Sequence, residues 1–220
     1  MRAVTNLTVH GIGEAARALE RGEDATWVTV EQFEQVVDAV AGRPDVRLTF
    51  DDGNASDVEI ALPRLVERGL RAEFFVLAGL LGEPGRLDAD GVRELAGAGM
   101  RVGSHGWAHR DWRTLDGPQV AEEFTRSRTV LAGLAGAPVS RVAIPFGSYD
   151  RRVLRRLRMA GVTRVYTSDG GRARPGSWLQ ARNSLRHDLD GAWIGRVLDG
   201  RAPLARRAGK LGMRLYKRVR

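Results

Sequence analysis

The 220-residue chain has no cysteine. That excludes disulfides, thiolate metal sites and cysteine nucleophiles, although it does not fix the redox compartment. Lysine is nearly absent as well: Lys210 and Lys217 are the only two among 35 basic residues. No apolar run approaches the roughly 18–20 residues of a membrane span. The N-terminus, Met1-Arg2-Ala3-Val4-Thr5-Asn6, lacks the apolar stretch of a secretory leader. A cytoplasmic location is the resulting expectation, with the inner face of the membrane as its variant. Repeats and low-complexity linkers are missing too.

What is present is ordinary for a globular chain, 43% hydrophobic and 28% charged, and long enough for one sizeable core. The net charge of +8 suggests an anionic partner, but its distribution argues otherwise. Residues 196–220 hold nine basic residues against Asp199, which leaves 26 basic and 26 acidic residues in 1–195. Two regions are expected: a neutral body over 1–195 that carries any chemistry, and a basic tail over 196–220. Nucleic-acid binding by the body is not supported.

Short β-prone runs recur at Val4–Val9, Val46–Phe50, Ala72–Leu77, Arg141–Ile144 and Thr163–Thr167. Helical patterns lie between them. Thr29 and Gln32 are spaced as a capping box ahead of Phe33, Val36, Val37 and Val40. Ser56 and Glu59 repeat that spacing, with Pro63 expected to kink the helix or delay its start. Val120, Phe124, Ser127, Leu131 and Leu134 form another helical stripe, and Val153, Leu154, Leu157 and Ala160 a third. Strand–helix alternation with buried strands predicts an α/β fold with a parallel sheet or barrel, whose chemistry gathers at the C-terminal strand ends.

Four motifs fall at such ends. Leu48-Thr49-Phe50-Asp51-Asp52-Gly53 delivers two adjacent carboxylates to a turn, where both can line one pocket; a lone Asp-Asp-Gly is more often a solvated turn. Gly103-Ser104-His105-Gly106-Trp107-Ala108-His109 holds two of the four histidines within five residues, on one helical face or in a tight loop. Two imidazoles with a carboxylate from another strand end suit Zn²⁺, Co²⁺, Ni²⁺ or Fe²⁺. Ala143-Ile144-Pro145-Phe146-Gly147 is a turn able to aim a backbone N–H at substrate. His10 ends the first strand, and His187 lies in Ser184-Leu185-Arg186-His187-Asp188; either alone reads as structural.

Together these residues resemble the polysaccharide deacetylase family (carbohydrate esterase family 4), and most of all its poly-N-acetylglucosamine branch. Thr49-Phe50-Asp51-Asp52-Gly53, Ser104-His105 through His109, and Pro145-Phe146-Gly147 look like its first three motifs. The resemblance spans about residues 5–188, and Glu122/Glu123 with Ser127 match the usual lead-in to the third motif. It implies a deformed, incomplete (β/α) barrel and hydrolysis of an N-acetyl group on an acetylated carbohydrate, with acetate released. It implies that Asp52, His105 and His109 hold a divalent metal, zinc first and cobalt or nickel as alternatives. Asp51 would be the general base, and the Phe146 N–H would stabilise the oxyanion. Many members carry an arginine two residues before the proline of the third motif, bracing the base; here that position is Ala143. The general acid usually comes from a C-terminal histidine, but the poly-N-acetylglucosamine branch supplies it from the first strand, which favours His10 over His187. The fourth motif has only positional candidates, Asp169 and Arg182.

Three other readings remain. The same site could remove O-acetyl groups. A non-haem iron oxygenase would also use two histidines and a carboxylate, but it leaves the second aspartate without a task. A non-catalytic module could bind glycans or anionic surfaces through the tail, where Leu204, Ala208, Leu211, Leu215 and Val219 share one helical face flanked by basic residues. That face either packs on the barrel or lies on a membrane.

Overall fold

The structure, a computed structural model, describes residues 3–20, 22–199 and 217. Its strands are β1 (Val4–Val9), β2 (Gly11–Ile12), β3 (Trp27–Val28), β4 (Val46–Asp51), β5 (Ala72–Val76), β6 (Arg101–Ser104), β7 (Arg141–Ala143), β8 (Arg164–Thr167), β9 (Arg172–Ala173), β10 (Leu179–Ala181) and β11 (Asn183–Ser184). The helices are α1 (Val30–Val40), α2 (Leu62–Glu67), α3 (Ala89–Gly97), α4 (Gly117–Ala121), α5 (Ser127–Ala135), α6 (Arg151–Met159) and α7 (Gly191–Leu198). The main sheet runs β10-β8-β7-β6-β5-β4-β1-β11, with parallel pairing throughout, and β9 adds one antiparallel pairing at the start of β1. β10 and β11 are pieces of one segment, separated only by Arg182. The segment pairs with β8 on one side and β1 on the other, so it nearly closes the sheet into a barrel. This is the deformed (β/α) barrel that the motifs implied.

Side-chain alternation sorts the strands into two layers. On β4, Leu48 and Phe50 join the apolar core between sheet and helices, where Phe50 stacks on Phe74 at 4.4 Å and meets Phe33 of α1 edge-on. Thr49 and Asp51 face the other way, into the barrel, where both receive hydrogen bonds from Arg182. Small barrels fill their interior with side chains. Here the filling is largely polar: Thr8 bonds Thr49, Asn6 bonds Gln180, and Tyr166 donates to Glu73.

The helices follow their sequence signals, with one exception. The Thr29–Gln32 capping box forms with both reciprocal hydrogen bonds. The Ser56–Glu59 box does not. Ser56 is already helical and caps nothing, and its hydroxyl accepts the Ile12 N–H at 3.3 Å. A π-helical turn over Asp57–Ala61 precedes α2, which takes Pro63 in its first turn, where no N–H is needed. The Val120–Leu134 stripe is likewise interrupted by a π-helical turn, Glu122–Arg126, between α4 and α5. α7 runs across position 195 and buries Ile194 and Leu198 in the core. The amphipathic face expected over 203–220 lies outside the described residues, apart from Lys217. Among the described residues no helix is long and apolar enough to cross a membrane.

Candidate metal and catalytic centre

The C-terminal ends of β1, β4, β6 and β7 bring the four sequence motifs to one rim. Asp51 is the last residue of β4 and Asp52 begins the turn. A further strand residue would point away from the barrel, but Asp52 has φ +76°, a left-handed conformation that returns its carboxylate to the same pocket. Gly53, at φ +63° with Val76 tight against the space a Cβ would take, completes the turn. Asn54 then ties the rim together. Its side chain donates to the His10 carbonyl at 2.7 Å and accepts from Arg17 and Arg86, while Arg86 also donates to the Asp52 carbonyl at 3.1 Å.

The two histidines sit in a loop after β6, not on a helix, and His109 has φ +53°. His105 Nδ1 lies 2.9 Å from the Ala143 carbonyl. As a carbonyl only accepts, that nitrogen carries the proton and Nε2 keeps its lone pair for a ligand. Burial lowers the His105 pKa to about 4, against the opposing pull of Asp51 and Asp52, so the ring is neutral at neutral pH. Its Nε2 is 3.4 Å from Asp52 Oδ1, and His109 Nε2 is 3.6 Å from the same oxygen. That oxygen is buried without a hydrogen-bond partner. Two donor atoms on a four-coordinate ion with bonds of about 2.1 Å lie about 3.4 Å apart, so these nitrogen–oxygen separations fit a divalent cation. The three ligand atoms lie within 4.8 Å of one another, the only such group of ligating side chains among the described residues.

The loop between the histidines is held by one buried carboxylate. Glu123, in the π-helical turn, accepts the Trp107 N–H at 2.8 Å, the Ala108 N–H at 3.1 Å and the Trp112 indole N–H at 3.3 Å. Ser104 supports the same loop by accepting the Gly106 N–H while donating to Ser127.

Asp51 is paired in a way the sequence left open. Both its oxygens accept from the Arg182 guanidinium at 2.6 Å, and both side chains are buried. Burial alone would raise the Asp51 pKa. Arg182 overrides it, helped by His105 and His10, and holds the carboxyl at about 2. The brace missing at Ala143 is thus supplied by the strand segment that closes the barrel. Asp169, the other positional candidate, instead accepts from Tyr149 at 2.7 Å, Thr167 at 2.9 Å and Lys217 at 3.1 Å. Lys217 also donates to the Gly147 carbonyl at 2.8 Å.

Phe146 has φ +57° in the turn after β7. Its ring stands exposed, 4.3 Å from that of His109, and its N–H has no acceptor among the described residues. Asp52, His109 and Phe146 are the only non-glycine residues with positive φ among the described residues, and all three belong to this rim. Such strain concentrates where geometry is imposed by a site. The two candidate acids differ in surroundings. His10 is half-buried on the rim with Nδ1 unpartnered, whereas His187 is exposed and hydrogen-bonded through its backbone and ring to Ala25. One buried group escaped the sequence altogether. Neither carboxyl oxygen of Asp57 has a partner, and burial, with the charges of Asp52 and Asp51, pushes its pKa well up.

The fold is thus a nearly closed parallel barrel that carries paired aspartates and a His-x-x-x-His loop at its C-terminal rim. Residues 38–165 match the family profile described as "Polysaccharide deacetylase", and the chain belongs to that family. It is 26% identical over 134 residues to the peptidoglycan-N-acetylglucosamine deacetylase of Bacillus cereus, a match covering 60% of this chain and 46% of the relative. The match covers about half the length of two curated relatives, 50% and 46%. Its fold is similar to that of the Streptococcus pyogenes deacetylase PplD in complex with acetate (TM-score 0.77, 20% identity, 92% of this chain and 99% of that one). It is also similar to IcaB from Ammonifex degensii (TM-score 0.69, 23% identity, 90% and 96%).

Proposed function

We propose that the chain hydrolyses the N-acetyl group of an acetylated sugar or glycan with the help of a divalent ion, zinc in the first instance, held by Asp52, His105 and His109. The observation that carries this reading is the buried, unpartnered Asp52 oxygen facing two imidazole nitrogens, with a second carboxylate beside it kept ionised. When bound, such an ion polarises the acetyl carbonyl and acidifies the attacking water. The chain supplies the rest. Asp51, held in position by Arg182, removes a proton from the water as its oxygen bonds to the acetyl carbon. The Phe146 N–H donates to the carbonyl oxygen as negative charge develops there. His10 hands a proton to the nitrogen as the C–N bond breaks, leaving acetate and a free amine. The second aspartate, for which an oxygenase has no task, favours hydrolysis.

The test is acetate release from a panel of N- and O-acetylated oligosaccharides, with and without chelator. Release from N-acetylated substrates that chelator abolishes and zinc restores is expected. Asp51→Asn is expected to keep the metal and lose turnover by about 10²–10⁴-fold. Release from O-acetylated substrates alone would replace the amide reading with an esterase, and full activity after chelation would overturn the role given to the ion.

A further inference from the structure

The neutral charge of residues 1–195 conceals a division. Residues 1–125 carry 13 basic and 22 acidic side chains, and residues 126–195 carry 13 basic and 4 acidic. The surplus is densest on α6, Arg-Arg-Val-Leu-Arg-Arg-Leu-Arg-Met. Val153 and Leu157 fix its inner face in the core, so Arg151, Arg152, Arg155, Arg158 and Met159 all stand exposed on one outer face. Arg158 lies over the Trp178 ring. Arg151, Arg152 and Arg155 have no hydrogen-bond or ion-pair partner among the described residues. Nothing nearby in the chain neutralises them. Residues 126–149 contain no acid, Asp150 is occupied capping α6, and the next acid is Asp169. Solvated helix faces normally mix signs or pair their charges. This one does neither.

We infer that the outer face of α6 docks this protein on an anionic phospholipid surface. Charge complementarity calls for an anion, and two further features select a bilayer. First, Met159, 81% exposed and one of three large exposed apolar side chains among the described residues, ends the stripe on the same outer face. Cationic and apolar side chains presented together suit a headgroup layer with acyl chains beneath it. Second, the face is a convex helix with no open aromatic ring, since Arg158 covers Trp178. Polyanionic strands are bound instead in grooves with stacking platforms. The inference is independent of the proposed reaction, and it gives the body a binding face apart from the tail.

The experiment is co-sedimentation of the full chain with vesicles of phosphatidylcholine alone, or with about a third phosphatidylglycerol. Binding to the anionic vesicles only, weakening with salt, is expected. The triple variant Arg151→Gln, Arg152→Gln, Arg155→Gln is expected to lower the partition coefficient about a hundredfold, from the usual contribution of a basic residue near such a surface. Acetate release from a soluble substrate should be unchanged, because none of the three touches the rim. A parallel variant with Arg206, Arg207, Arg214 and Arg218 changed to Gln separates the tail's share. The inference is overturned if the α6 variant binds as the parent does, if only the tail variant loses binding, or if the chain binds heparin in solution while ignoring the vesicles.

Discussion

Replacing Arg182 by methionine removes the guanidinium but keeps most of the side-chain volume. The two 2.6 Å hydrogen bonds to Asp51 disappear, and a buried carboxylate is left without its partner. The displacement of Asp51 from 3.8 to about 2 corresponds to about 2 kcal/mol favouring the ionised form in the fold. Stranding one member of a buried pair typically costs about 3–5 kcal/mol, and this pair belongs in that range because both side chains are almost wholly shielded from solvent. The sign with pH is determined. A depressed folded pKa contributes stability above the unfolded value, and that contribution is lost as pH falls through about 4 towards about 2. In the variant, burial is the largest remaining influence and raises the Asp51 pKa. The stability difference between parent and variant is therefore largest at neutral pH and shrinks on acidification. Urea unfolding of both chains in chelator, from pH 7 downward, measures it; chelator matters because a bound cation would itself favour ionised Asp51. In metal-loaded protein the acidic limb of kcat/KM for acetate release should move to higher pH in Arg182→Met and less so in Arg182→Lys. A pH-independent stability loss with an unmoved acidic limb would show that Arg182 merely fills space.

Other expectations follow from the same rim. Glu123→Gln cannot accept all three N–H groups of the histidine loop, so zinc affinity should fall about 10–100-fold, read by competitive titration, while the metal-free circular dichroism stays native; an unchanged affinity would refute the positioning role. His10→Ala should reduce turnover about 10²-fold or more, with His187→Ala near the parent value, and the reverse order in steady-state assays would transfer the acid to His187. Asp57→Asn should stabilise metal-free protein at pH 7 by about 1–3 kcal/mol, read as a raised melting temperature, by removing a buried carboxyl that resists ionisation, and should gain little near pH 4, where the parent carboxyl is already protonated. Equal gains at both pH values would remove ionisation as the cause.

Much of the fold was legible because the chain signals it locally. The runs at Val4–Val9, Val46–Phe50 and Ala72–Leu77 are strands because β-prone residues alternate there, with Leu7, Val9, Leu48, Phe50 and Phe74 packed under the helices and Asn6, Thr8, Thr49 and Glu73 filling the barrel. Thr29 and Gln32 cap α1 because both partners of the box lie within one helical turn. Where a distant group competed, local reading failed: Ser56 has the spacing of a cap, but its hydroxyl is taken by Ile12, 44 positions away. The segment from Leu179 to Ser184 carries no strong strand signal, since its pieces are two and three residues long and are stabilised by neighbours that only the curled sheet provides.

Sequence alone determined which side chains the rim could use: two aspartates at one strand end, two histidines four apart, and a Pro-Phe-Gly turn, each a short-range pattern. It also excluded thiol chemistry outright. Tertiary structure decided how those groups are charged and aimed. The state of Asp51 depends on Arg182, 131 positions away, and the histidine loop depends on a carboxylate in a different helix. The exposed arginines of α6 became a surface only once Val153 and Leu157 fixed which side of the helix faces inward. Burial and long-range pairing are properties of the closed barrel, and ionisation follows burial, so no local pattern could have announced them.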